Sequence, residues 1–116
     1  MKTIMVVEDE KEYREILQKK LESVGYTVVA AENGQVGLDY LMKQDVDLII
    51  LDQIMPDVDG IMFMDTLYNT LMKKTKVIIL TNLDRSTYHP GVVDFLLKSD
   101  TSIEDVITRV KNYAPL

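Results

Sequence analysis

Five short apolar runs, at positions 3–7, 26–31, 48–51, 77–80 and 92–97, constrain this chain more than any other feature. Each is rich in Val, Ile, Leu or Ala and holds few polar residues. A strand with one wet face alternates apolar and polar side chains, so nearly continuous apolar runs describe strands covered on both faces. The stretches between them carry helical spacing instead: Tyr13, Ile16, Leu17, Leu21 and Val24; Val36, Tyr40 and Leu41; Phe63, Met64, Leu67 and Leu71; Ile103, Val106, Ile107 and Val110. Strand and helix alternate along the chain. Asn33-Gly34 and Asp59-Gly60 supply N-cap side chains, Gly25 stands where the first helix should stop, and Thr101 with Glu104 has capping-box spacing. The pattern predicts an α/β fold, a doubly wound five-stranded parallel sheet with helices on both faces. A chain of 116 residues makes one such domain, expected to span 1–116. Between Thr81 and Val93 the segment contains Tyr88-His89-Pro90-Gly91 and is barely long enough for a parallel crossover, so the fourth helix is expected to be shortened to one or two turns.

Charge and composition exclude several functions. The formal charge of −6 opposes binding to a phosphate backbone or an anionic lipid surface, so neither direct nucleic-acid binding nor membrane association is expected. No apolar run approaches the roughly 20 residues needed to cross a bilayer. With no Cys there is no disulfide framework, thiolate zinc site or Cys nucleophile, which fits a cytoplasmic location. Several of the seven Met residues, such as Met5 and Met64, fall at helical or strand core positions and read as adaptable core filler.

In open α/β sheets ligands bind beyond the carboxyl ends of the strands, where strand order reverses. Glu8, Asp9 and Glu10 follow the first run, Asp52 the third, Thr81 closes the fourth and Lys98 closes the fifth. If the first and third strands are neighbours, Asp9 and Asp52 approach one another with Glu8 close behind. Two carboxylates about 4 Å apart repel by roughly 4 kcal/mol at an effective dielectric of about 20, so such a cluster wants a cation. Hard oxygen ligands without His or Cys suit Mg²⁺. Lys98 is suited to gripping phosphoryl oxygens, Thr81 can donate a hydrogen bond, and Asp52 is the natural nucleophile, since a carboxylate can attack phosphorus to form an acyl phosphate. Other phosphate chemistries fit poorly. An FMN or P-loop site needs a Gly- or hydroxyl-rich loop after the first strand, where Glu8-Asp9-Glu10 stands and no Gly precedes Gly25. An aspartyl phosphatase with a second Asp two residues on would find Ile54 there. His89, the single His, reads as a turn residue.

The segments Ile4-Met5-Val6-Val7-Glu8-Asp9-Glu10, Leu51-Asp52-Gln53-Ile54-Met55-Pro56-Asp57-Val58-Asp59-Gly60, Val77-Ile78-Ile79-Leu80-Thr81 and Asp94-Phe95-Leu96-Leu97-Lys98 together resemble the receiver (response regulator) domain of bacterial two-component signalling systems. The resemblance spans nearly the whole chain and implies a flavodoxin-like fold with strand order 2-1-3-4-5. It implies that Asp52 is the phosphoacceptor, that Mg²⁺ is bound by Asp9, Asp52 and the Ile54 carbonyl with Glu8 holding a metal-bound water, that Lys98 contacts the phosphoryl group, and that Thr81 and Phe95 form a switch pair. The donor would be the phosphohistidine of a sensor histidine kinase or phosphotransfer protein. The output would be a downstream protein that meets the face formed by the fourth connection, strand five and the last helix. Such a domain assists its own phosphorylation and dephosphorylation without being a conventional enzyme. The alternative is a pseudo-receiver, a constitutive protein-binding or dimerisation module.

Four departures from the family pattern carry expectations. Glu8 replaces a common Asp, and its extra methylene is expected to carry the carboxylate outward. Asn82 replaces a small residue and is expected to narrow access to Asp52. Ser99 replaces Pro, so a trans Lys98–Ser99 peptide is expected, because a non-proline cis bond costs about 2.5–4 kcal/mol. The shortened fourth helix removes part of the usual partner surface. Ile54 and Leu83, two residues beyond Asp52 and Thr81, cannot orient a hydrolytic water, so a long-lived phosphoryl state is expected.

Overall fold

The apolar runs pair as their two-sided hydrophobicity requires. In the computed structural model, which describes residues 2–53, 58–82 and 91–116, β1 (Thr3–Val7), β2 (Thr27–Ala31), β3 (Leu48–Leu51), β4 (Lys76–Thr81) and β5 (Val92–Leu97) form one parallel sheet in the order β2-β1-β3-β4-β5. The helices are α1 (Lys11–Ser23), α2 (Gly34–Leu41), α3 (Gly60–Asp65), which runs on into a π-helical stretch (Thr66–Thr70), and the C-terminal α4 (Ile103–Tyr113).

Side chains alternate across each strand and divide the core in two. Ile4, Val6, Leu48, Ile50, Ile78, Leu80 and Leu96 pack with Leu17 and Leu21 of α1 and Val106, Ile107 and Val110 of α4. Met5, Val7, Ile49, Leu51, Val77 and Ile79 pack with Leu38 and Leu41 of α2, Phe63 and Met64 of α3, and Leu67. Met5 and Met64 are core filler, as expected.

Local chemistry sets the helix ends. The Asn33 side chain accepts from the Val36 amide at 2.9 Å and the Asp59 side chain from the Met62 amide at 2.9 Å, capping α2 and α3 as the sequence indicates. Gly25 adopts φ +108° just beyond α1, a conformation L side chains rarely take. The last helix differs by one residue from expectation. Lys98–Asp100 form a 3-10 turn, and Thr101 stays extended at φ −128° and ψ 119°. Ser102, not Thr101, is therefore the first hydroxyl placed to cap, and its Oγ accepts from the Asp105 amide at 3.1 Å. The Lys98–Ser99 peptide is trans, as expected. The Ile54 carbonyl, Leu83, His89 and the shortened fourth helix fall outside the described residues. Among the described residues no helix is long and apolar enough to cross a membrane.

Candidate functional site

Register brings the polar residues together. Val7 of β1 pairs with Leu51 of β3, so Glu8 and Asp52 each stand one residue past a matched pair. The ladder continues through them: the Glu8 amide donates to the Ala31 carbonyl at 3.0 Å, and the Asp52 amide to the Val7 carbonyl at 3.1 Å. The two-residue alternation that sends Val6, Ile50 and Leu96 toward α1 and α4 sends Glu8, Asp52 and Lys98 the same way. Asp9 falls on the opposite count and is exposed, whereas Glu8 is 3% and Asp52 5% exposed.

The result is a buried ion-pair cluster. Lys98 Nζ lies 2.7 Å from Glu8 Oε2 and 3.1 Å from Asp52 Oδ2, with only 9% of the Lys98 side chain exposed. The Glu10 amide donates to Glu8 Oε1 at 3.1 Å. Arg14 Nη1 donates to the Glu8 carbonyl at 2.8 Å, tying the start of α1 to the acidic loop. Oxygens of Glu8, Asp9 and Asp52 lie within 4.8 Å of one another. Glu8 was expected to reach outward; instead its longer stem folds back into the cluster and meets the ammonium. Thr81 is fully buried at the end of β4, and Asn82 after it is exposed. Thr81 is in register with Leu97 and Ile79 with Phe95, so Thr81 and Phe95 share one face as diagonal neighbours. Phe95 is half-buried against the core on the α2 and α3 side.

Among the described residues, the three carboxylates outnumber the one ammonium that pairs with them by two charges when all are ionised. All of its metal-facing ligands are hard oxygens, so the donor set fits a divalent cation of the Mg²⁺ type and disfavours zinc. Burial pushes the Glu8 carboxyl up to about 7, reinforced by the charge of Asp52 and opposed by Lys98. Burial alone would lower the Lys98 pKa, but its hydrogen bond to Glu8 and the charges of Asp52 and Glu8 raise it overall.

The Glu8 shift has a stability consequence in metal-free protein. Between its ordinary value of 4.5 and about 7, the folded protein holds a proton that the unfolded chain has lost. Glu8 thus contributes stability that is complete below about pH 4.5 and disappears as pH rises through about 7. The shift corresponds to on the order of 3 kcal/mol. The unfolding free energy of wild type, measured against Glu8→Gln, is expected to fall between about pH 4.5 and pH 7. Parallel curves for the two proteins would contradict this.

Two contributors were missed from sequence. By spacing Tyr13 is only an apolar position of α1, yet Lys98 Nζ stands 4.7 Å from its ring centroid. Nothing in the helical spacing marks Arg14. The available signal was their position in the first turn of α1, directly after the acidic loop.

Comparison with known proteins agrees with this geometry. A family model described as the response regulator receiver domain matches residues 4–111. The chain is 34% identical over 110 residues to response regulator GtcR of Aneurinibacillus migulanus, covering 90% of this chain and 45% of that protein. It is 33% identical over 113 residues to the transcriptional regulatory protein HprR of Escherichia coli, covering 93% and 49% respectively. The chain spans about half the length of these curated relatives. Among solved structures, the receiver domain of Francisella response regulator 1452 superposes with a TM-score of 0.86 at 29% identity, covering 97% of this chain and 96% of that one. Response regulator TrrA from Thermotoga maritima, solved in complex with Mg²⁺-BeF, gives 0.84 at 30% identity and covers 97% and 99%.

Proposed function

The chain belongs to the response regulator receiver domain family, and on that premise we propose that it is a phosphorylation-operated switch whose phosphoacceptor is Asp52. The observation that carries this reading is the buried Asp52 carboxylate, held by Lys98 at 3.1 Å beside the carboxylates of Glu8 and Asp9. The donor is the phosphohistidine of a sensor histidine kinase or phosphotransfer protein. An Asp52 oxygen forms the new P–O bond as the P–N bond breaks, and the bonding pair leaves with the imidazole nitrogen. Lys98, already aimed at Asp52, offers its ammonium to the phosphoryl oxygens, and the ion pair with Glu8 keeps it from swinging into solvent. Thr81 donates its hydroxyl to the phosphoryl group, and Phe95, diagonal to it on the same face, follows. The face around β5 and α4 then changes population and meets a downstream protein, with the whole exchange taking place in the cytoplasm.

Asp9, Asp52 and the Ile54 carbonyl are the residues that would hold Mg²⁺, with Glu8 acting through water. Bound there, the ion would neutralise charge on the phosphoryl oxygens as it develops.

The test is phosphoryl uptake. Protein incubated with Mg²⁺ and acetyl phosphate is expected to gain the mass of one phosphoryl group, and Asp52→Asn to gain none. A wild-type chain that stays unmodified with both acetyl phosphate and phosphorylated kinases would instead favour a constitutive binding module.

A further inference from the structure

A cation held by two carboxylates still has freedom, because Lys98 ends a flexible four-carbon stem and its three N–H donors can rotate among acceptors. Glu8 and Asp52 approach the ammonium at 2.7 and 3.1 Å. The Tyr13 ring supplies another boundary, with its centroid 4.7 Å from Nζ, inside the roughly 6 Å range of cation–π attraction. The ring is itself fixed. Tyr13 lies in the first turn of α1, and the neighbouring Arg14 ties that turn to the acidic loop through the Glu8 carbonyl at 2.8 Å and the Asp9 carbonyl at 3.5 Å.

The Tyr13 hydroxyl is buried and has no hydrogen-bond partner among the described residues. A buried hydroxyl without a partner is a cost, so it is not what holds this side chain in place. The aromatic face is the part of Tyr13 that interacts with the cluster.

We propose that Tyr13 is a positioning residue for Lys98: its ring face holds the ammonium against Glu8 and Asp52, pointing it at the site where phosphorus arrives. The chemical consequence rests on the phosphoacceptor reading above, whereas the placement of Lys98 does not. The ring acts through Lys98 and not on the reacting atoms.

Three variants separate the ring from the hydroxyl and from simple packing. Tyr13→Phe keeps the ring and removes the orphaned hydroxyl. Tyr13→Leu fills much of the space without a π-face. A ring-fluorinated phenylalanine at position 13 keeps the shape and withdraws electron density from the face. With Mg²⁺ and acetyl phosphate, Tyr13→Phe is expected to take up phosphoryl groups within about two-fold of the wild-type rate. Tyr13→Leu is expected to be slower by roughly 5- to 30-fold, or about 1–2 kcal/mol at 1.36 kcal/mol per decade. Fluorination is expected to lower the rate progressively. A rate insensitive to fluorination, or Tyr13→Phe as slow as Tyr13→Leu, would overturn the proposal.

A second readout is independent of phosphorylation. In metal-free protein the Lys98 ε-methylene protons should resonate upfield, shifted by the ring current, in wild type and Tyr13→Phe, and return to ordinary positions in Tyr13→Leu. If wild type takes up no phosphoryl group, the phosphoacceptor reading fails, and the methylene shift alone decides whether the ring places the lysine. Unshifted methylene protons in wild type would refute that placement.

Discussion

Lys98→Met is expected to slow phosphoryl uptake at Asp52 by about 10²- to 10³-fold, the usual cost of deleting one preorganised group that meets developing negative charge. Lys98 is the cation bonded to both Glu8 and Asp52, and the two carboxylates are almost wholly buried. Methionine preserves the stem's packing and removes only the charge. The same change has a second effect. Breaking a buried ion pair from one side leaves the other charge uncompensated, with a typical cost of about 3–5 kcal/mol. Glu8 escapes part of this by keeping its proton, so the loss should be larger at about pH 8 than at about pH 5.5. Phosphorylation kinetics followed by intact mass, with chemical denaturation of metal-free protein at the two pH values, check both effects. Wild-type uptake rates in Lys98→Met would remove Lys98 from the chemistry. A stability loss equal at both pH values would contradict the charge argument.

Phe63→Ala is expected to be strongly destabilising at every pH. Phe63 is completely buried in the core between the sheet, α2 and α3. A Cβ built on Gly37 of α2 would come within 3.2 Å of the Phe63 ring, so the helix already rests against it. Removing a buried aromatic ring costs about 3–5 kcal/mol, the sum of lost transfer free energy and the cavity left behind. Against a total stability of about 5–15 kcal/mol for a domain, that is a large share. It corresponds to a fall in melting temperature of about 10–20 °C at roughly 4 °C per kcal/mol for a domain of this size. A shift of only a few degrees would mean that α2 and α3 collapse into the space and that this half of the core is less tightly packed than the full burial of Phe63 implies.

Much of the fold is legible in the sequence because burial imprints itself locally. Short Leu- and Ile-rich runs such as Leu48–Leu51, found buried at every position, read as strands covered on both faces because they are too short for a buried helix. Phe63, Met64 and Leu67 show their core-facing stripe by spacing alone. Caps at Asn33 and Asp59 are equally local, since the side chain bonds an amide three residues ahead. The cap of the last helix lies one residue beyond the capping-box spacing of Thr101 and Glu104, because the 3-10 turn at Lys98–Asp100 delays the start and nothing in a four-residue window announces that turn.

The site divides along the same line. Residue type and order identified Glu8, Asp9, Asp52, Thr81 and Lys98 as polar groups at strand ends, and the acid-rich loop announced a cation. Which acid is buried, which is exposed and what holds the lysine depend on strand register, on alternation across the sheet and on the seating of α1. Those are contacts between residues as far apart as Asp52 and Lys98, whose 46-residue separation no local pattern can encode. Sequence alone determined the elements and the chemical repertoire, because hydrophobic periodicity and side-chain type act over a few residues. Tertiary structure alone decided that Glu8, and not Asp9, shares the ammonium with Asp52 above the ring of Tyr13, because only the packed sheet turns those side chains inward together.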